Sequence, residues 1–499
     1  MAALICTIGI AATVLWRLWP FTVDDTFITL RYARHLASGL GLVWNAGPVH
    51  DEGYTSPLWT VLLALPHVIG LDGEGSAKLL SLLTHLGAIA ACAALARVAV
   101  RTAGPDTPTR ATWYAPLLYA LYPAAAVHAV SGMETAAFTL ALTALAWCAA
   151  RALESRAALH PWRLAALALA TGLTRPEGNV AALVVLGTLA WMLERAERVR
   201  LLRALVLCWV LPGALYFAWR WNFYGELLPL PFYSKMAGVA PWAGAARVFE
   251  FLRDMALGIG VPLAFGLALT PRPLRPALAG ALSILLFYLF PEHVMGFHVR
   301  YLVPVAPILF ALAGAGFVGV ERLTRMAGPS LARVSGVVGG LLALVCAGAL
   351  LSRAPATIAS RRMYADGFDR AHRSLARELS TLPIGRIAIS DAGIIPYRSD
   401  WPTLDMVGLN DRHIARTHDR SPQSVLGFQP DVLVLASQDS ARFIPFHWNQ
   451  WEGPVLGVAL AEGFLLAARY RFHDGYWLWM LADSRTSVGR RLITAHPKV

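Results

Sequence analysis

Charge is scarce in this sequence. Only 15% of its 499 residues are Asp, Glu, Lys or Arg, against 57% hydrophobic ones. A soluble chain carries about 25% charged residues, so two or three soluble domains are excluded and a polytopic membrane protein is expected. Cysteine is also sparse. Cys6, Cys92, Cys148, Cys208 and Cys346 all lie in apolar stretches, and none falls after Ser352, which excludes a disulfide within the C-terminal part. No GxxxxGK[ST], HExxH or CxxC motif occurs, nor any internal repeat or low-complexity tract. The first twenty residues lack a basic leader and a small-residue cleavage site, and read as a retained span.

What is present is apolar sequence in membrane-sized lengths. A spanning helix needs about 20 mainly apolar residues. By that rule about eleven spans are expected, at 2–20, 77–100, 112–130, 134–151, 160–174, 178–194, 203–221, 249–270, 276–291, 302–321 and 332–352. The run Pro57–Leu71 is shorter, holds Pro66 and His67, and suits a helix in the membrane interface. With that assignment every short loop on one side is basic: Arg97, Arg101 and Arg110; Arg151, Arg156 and Arg163; Arg195 to Arg203; Arg272 and Arg275; Arg322, Arg325 and Arg333. The other side carries Asp24, Asp25, Glu52, Glu134, Glu177, Glu226 and Glu292. The positive-inside rule then puts the N-terminus and the arginines in the cytoplasm and the acids outside. The net charge of +12 is spread over these loops and suggests no nucleic-acid partner.

After Ser352 no span-length run remains. Gly385–Ser390 and Pro430–Ala436 read as short buried strands and Met363–Leu379 as an amphipathic helix, so residues 353–499 are expected to form an extracytoplasmic α/β domain. Residues 1–352 form the membrane domain, with a first outer loop at 21–76.

The outer side gathers polar residues at helix ends: Asp24-Asp25, Glu52-Gly53-Tyr54-Thr55, Ser131 to Thr135, Thr174 to Gly178, Asn222 to Lys235, and His293 to Pro304. Each has a plainer reading. Asp24 and Glu134 suit helix caps, Arg175-Pro176-Glu177-Gly178 a turn, Asp391-Ala392-Gly393 a tight turn, and Arg220, Lys235 and Arg300 headgroup contacts. Their convergence on one side carries the argument. Acids beside a separate set of cations, next to a lipid groove, suit a lipid-linked phosphate donor. Cations hold the leaving phosphate while a carboxylate takes the proton of an attacking hydroxyl. A lipid-linked-sugar transporter is the rival from another class; it would want polar residues in both mouths and along the midplane.

The strings VDDTFITLRYARHLASGLGLVWN, EGYTSPLW, SGMET, TRPEG, NFYGELLPLPFYSK, HVRYLVPVAP, ISDAG with IPY, and DMVGLND run from Asp24 to Asp411. Together they resemble the GT-C superfamily of polyprenyl-phosphate-sugar glycosyltransferases, most of all its arabinofuranosyltransferase B family. The resemblance implies a GT-C fold and transfer of arabinofuranose from decaprenyl-phospho-arabinose to a cell-envelope glycan outside the plasma membrane. Another sugar, such as mannose or aminoarabinose, placed on lipid or protein stays open beside it. It implies Asp24 and Asp25 as an acidic pair, one of them the base; Asp24 is expected as base, with Asp25 assisting through a hydrogen bond or an optional divalent cation. Lys235 and Arg300 would bind the donor phosphate, with His298 and Arg175 behind them, and Glu52 and Glu134 would contact the acceptor. After Asp411 the sequence departs from the family's pattern.

Overall fold

The computed structural model describes residues 2–104, 110–236, 242–292 and 297–496. Lipid offers the backbone no hydrogen-bond partners, so an apolar chain inside it must be helical or close into a barrel. Helix occupies each of the eleven expected spans in whole or in part. Among the described residues six helical stretches are long and apolar enough to cross a membrane: Gly73–Ala103, Thr135–Glu154, Arg195–Tyr224, Ala245–Leu269, Phe297–Met326 and Pro329–Ser380. The other expected spans are shorter helices, such as Ala2–Leu18 and Glu177–Met192, below that length. The expected span 112–130 is broken in two, because Pro123 starts a second helix, Pro123–Val130, whose residues are all buried.

The stretch Phe297–Met326 runs through the middle of the bundle. Helix Ala245–Leu269 lies almost in contact with it: a Cβ on Gly316 would fall 1.7 Å from the Pro262 carbonyl, and one on Gly266 2.0 Å from that of Leu312. Glycine at both points lets the backbones meet, as membrane helices do when apolar burial gives no drive for association. Helix Pro57–Val68 has 12 residues, about 18 Å at 1.5 Å per residue, and cannot cross the bilayer.

Arginines at the helix ends away from the first loop are paired. Arg101 meets Glu154 at 2.9 Å, Arg156 meets Glu197 at 3.1 Å, and Arg110 meets Glu321 at 3.2 Å.

The last span continues as helix Ala354–Phe368 and Ser374–Ser380 into the C-terminal domain. There a five-stranded mixed sheet has the order β2-β1-β3-β5-β4, with β1 Ile387–Ile389, β2 Thr403–Asp405, β3 Val432–Ser437, β4 Phe464–His473 and β5 Tyr476–Asp483. β1 pairs in parallel with β2 and β3, while β5 is antiparallel to β3 and β4. The two expected strands are β1 and β3. β4 and β5 were not expected, and they form the longest ladder of the sheet.

The first loop is the seat of this domain. Helix Asp25–Ala37 sends Arg31, almost fully buried, to the carbonyls of Pro396 and Trp401, at 2.5 and 2.9 Å. Arg34 reaches the Tyr397 carbonyl and Asp400, both at 2.6 Å. Asn45 pairs with the Thr403 backbone on both sides, and Tyr32 donates to the Asp51 carbonyl beside Asn410. The strings 23–45, 389–397 and 405–411, far apart in sequence, are therefore two faces of one interface.

Candidate functional site

Where the first loop meets the C-terminal domain they leave a cavity of about 670 Å³. The membrane half contributes Asp24, Asp25 and Lys235 to its wall; the C-terminal domain contributes His372, Asp391, Tyr476 and the segment His447–Trp451.

Asp24 precedes helix Asp25–Ala37, yet its side chain does not cap that helix. It points across the interface instead, and its Oδ1 accepts from the Ile394 backbone N–H at 2.8 Å. Gly393 makes this possible, since a Cβ there would lie 2.2 Å from the Asp24 carboxyl carbon. The tight turn expected at Asp391-Ala392-Gly393 thus receives the acid of the first loop. Burial raises the Asp24 pKa to about 7, with the charge of Asp391 adding to the rise and that of His372 opposing it. An acid poised near neutrality can accept a proton at physiological pH and hand it on.

Behind it, Asp391 Oδ2 accepts from His372 at 2.9 Å and from the Tyr476 hydroxyl at 2.5 Å. Burial pushes the Asp391 carboxyl up, but these hydrogen bonds outweigh it and hold the group below the usual range. Tyr364 completes the pocket, its hydroxyl oxygen 3.4 Å from the Asp24 backbone nitrogen.

Beneath this layer lies a compensated ion network. Arg300 meets Glu134 at 3.0 Å and Asp25 at 3.7 Å. Arg175 meets Glu177 at 2.6 Å and Glu134 at 3.7 Å, and donates to Tyr288 at 3.0 Å. Both arginines are buried, so neither reaches for headgroups, and Glu134 makes no cap hydrogen bond with its side chain. Removing so many charges from water is tolerable because each acid faces a guanidinium.

The other site residues fall elsewhere. Lys235 stands on the short helix Leu230–Met236, whose Ser234 hydroxyl donates to the Val407 carbonyl, and it faces the cavity. Among the described residues no carboxylate pairs with it. Glu52 forms a two-pronged pair with Arg220, at 2.6 and 3.0 Å, and borders a second cavity of about 420 Å³ between apolar helices. His298 has left-handed backbone angles, φ 45° and ψ 45°, and its carbonyl lies 3.2 Å from His128 Nε2. Residues 293–296 of the expected 293–304 stretch lie outside the described residues.

For a divalent cation between Asp24 and Asp25 the donor set is thin. Among the described residues no group of three His, Cys, Asp or Glu side chains could hold a metal ion, and one Asp24 oxygen is already taken by Ile394. No step below is routed through a metal.

Reading residues missed His372, Tyr364 and Tyr476. His372 sits in an arginine-rich helix and gains its partner only through the fold. Tyr476 opens a strand that the apolar pattern did not reveal.

Residues 358–481 match the family model for a domain of unknown function, DUF8728. The terminal beta-(1->2)-arabinofuranosyltransferase of Mycobacterium tuberculosis is 30% identical over 298 residues, which is 54% of this chain. The match spans 45% of that protein, less than half its length. In structure the chain is similar to ArnT from Cupriavidus metallidurans bound to undecaprenyl phosphate. That match has a TM-score of 0.63 at 15% identity, covering 97% of this chain and 98% of the other. The archaeal oligosaccharyltransferase AglB from Archaeoglobus fulgidus, in complex with an inhibitory peptide and a dolichol-phosphate, follows at 0.52 and 10%, covering 86% and 69%. The fold is the one that ArnT and AglB share, the GT-C fold that the resemblance implied.

Proposed function

We propose that this chain is a membrane glycosyltransferase that moves a sugar, D-arabinofuranose, from a polyprenyl-phosphate donor to a cell-envelope glycan at the outer face of the plasma membrane. The observation that carries the reading is the Asp24 carboxyl. It is half-buried, lifted to about 7, and held against Ile394 on the wall of a cavity that also receives Asp25 and Lys235. The similarity to an arabinofuranosyltransferase supports the sugar, and the pairing of basic helix ends opposite the acids supports the orientation.

In this mechanism an acceptor hydroxyl enters beside Asp24 and attacks the anomeric carbon of the donor sugar. Asp24 takes the hydroxyl proton as the new C–O bond forms. The bond between the anomeric carbon and the phosphate oxygen breaks, and the electron pair leaves with the polyprenyl phosphate. Lys235 faces that phosphate as a point charge. Arg300, bound to Glu134 and close to Asp25, fixes the second acid rather than offering a free cation. Positioning and charge stabilisation supply most of the rate.

The test uses purified protein in detergent with radiolabelled decaprenyl-phospho-arabinose and a short arabinan acceptor, wild type beside Asp24→Asn. Transfer by the wild type alone is expected, with the donor bound by both. Normal turnover in Asp24→Asn overturns the base assignment. Transfer of another polyprenyl-phosphate sugar in preference to arabinose overturns the sugar.

A further inference from the structure

Part of the cavity wall is aromatic. Segment His447–Asn449 forms a single turn that brings His447, Trp448 and Asn449 to the lining, with Trp451 beside them. Trp448 is 59% exposed, and among the described residues of the C-terminal domain it is the one exposed tryptophan or phenylalanine. Other exposed tryptophans, such as Trp16, Trp191 and Trp221, sit on the apolar helices of the membrane half.

Trp448 is held in place from behind. Its ring stacks on Phe446 at 4.8 Å and 12°, and His447 packs edge-on against it at 4.5 Å. Phe446 in turn rests on Tyr476 at 5.0 Å, and Tyr476 donates to Asp391. A continuous ladder therefore joins the exposed indole to the residues around Asp24. A fixed, open aromatic face is costly in water unless something covers it.

The chemistry of the lining narrows the occupant. Asp24, Asp25, Glu292 and Asp391 all face this cavity, against Lys235 and Arg420 as permanent cations. That set offers no cluster of cations to hold a polyanion. A neutral polyol needs none: the C–H face of a sugar ring is apolar and lies flat on an indole, while its hydroxyls find carboxylates, His447 and Asn449 at the edge. Bilayer anchoring, the other common use of an exposed tryptophan, does not explain why the ring borders the cavity of Asp24.

We infer that Trp448, backed by Phe446 and flanked by His447 and Asn449, is a stacking platform for a neutral glycan, the acceptor chain whose terminal hydroxyl is presented to Asp24. The direction of the glycan rests on the transferase reading; the platform itself does not.

The experiment titrates a short arabinan oligosaccharide into the full-length protein in detergent and follows binding by saturation-transfer NMR, with no donor present. Wild type, Trp448→Ala and Trp448→Phe are compared, and the Kd of the polyprenyl-phosphate donor is measured on each. The expected result is saccharide binding about tenfold weaker in Trp448→Ala, largely recovered in Trp448→Phe, with donor Kd unchanged in both. Equal saccharide binding by wild type and Trp448→Ala overturns the platform, as does absence of binding by the wild type. A shift of donor Kd in step with saccharide Kd also overturns it, since that marks a folding defect. If the wild type binds the saccharide through Trp448 but transfers nothing, the transferase reading fails while the platform stands.

Discussion

Asp24 and Glu134 belong to adjacent layers of the same molecule, the first half-buried and the second buried, and their surroundings differ in kind. Glu134 faces two guanidinium groups, and the network Glu134, Glu177, Arg175 and Arg300 balances its charges within itself. Asp24 has a backbone N–H, a histidine shared with Asp391, and another acid beside it. Burial alone does not mark a reactive acid. A compensated carboxylate stabilises the ionised form and becomes scaffold; an uncompensated one keeps its proton near neutrality and can exchange it.

The sharpest way to break that contrast is to neutralise each acid in turn. Asp24→Asn should lower transfer by roughly 10²–10⁴-fold, the usual worth of a general base. The amide oxygen can still accept from Ile394, so folding is retained; turnover assays beside a thermal melt check both halves. A raised carboxyl pKa means that the folded chain holds the proton more tightly than the unfolded one. Ionised Asp24 therefore costs stability, a cost that begins above the ordinary value of 3.8 and is complete above about 7. Asp24→Asn should melt higher than wild type at pH 8 and no higher at pH 4.

Glu134→Gln should do the reverse. It leaves Arg300 and Arg175 short of a buried counter-charge, and a loss of about 3–5 kcal/mol is expected from such a break. A melting temperature unchanged by Glu134→Gln would place this network with weak surface pairs instead.

Gly393→Ala tests the contact between the halves. Its methyl group would collide with the Asp24 carboxyl, and displacement of the acid by about 1 Å costs roughly 10²-fold in rate. Transfer should fall by that order with the melt of the membrane helices little changed. Next comes pH: kcat/KM should rise about tenfold per unit below 7 and level off above it, since only ionised Asp24 can take a proton. A profile flat from pH 5 to 8 would remove Asp24 from the proton transfer. The mildest effect is expected of Lys235→Gln, a donor Kd raised about tenfold with the acceptor KM unmoved, in keeping with loss of one charge-assisted contact.

Much of the fold was legible because lipid demands long apolar runs, and those runs are hard to disguise. β1 and β3 were legible for a similar reason, since IAI and VLVLAS are buried throughout. β4 was not, because Arg469 and Arg471 interrupt FLLAARYRFH and only one of its faces is covered. The break at Pro123 was visible as a residue but not as an outcome, since proline kinks some membrane helices and ends others. At the site, adjacency made Asp24-Asp25 conspicuous. Their company was hidden: Ile394 lies 370 residues from Asp24, and His372 is 19 residues from the Asp391 it serves. Such pairings carry no local signature. Glu52 was conspicuous for the same reason as Asp24, and the fold gives it to Arg220 at the edge of another cavity.

The hydrogen bond between Asp24 and Ile394 also sets an order in time. The acid leaves the ribosome before the backbone that cradles it, which arrives some 370 residues later. Throughout that interval the nascent membrane half has its carboxyl open to water, where it titrates as an ordinary aspartate and lacks the basicity the finished pocket confers. On the proposed mechanism, competence for proton transfer is then acquired in one late step, when the C-terminal domain settles onto the first loop, and a chain cut short before Gly393 is expected to be inert however well its helices insert.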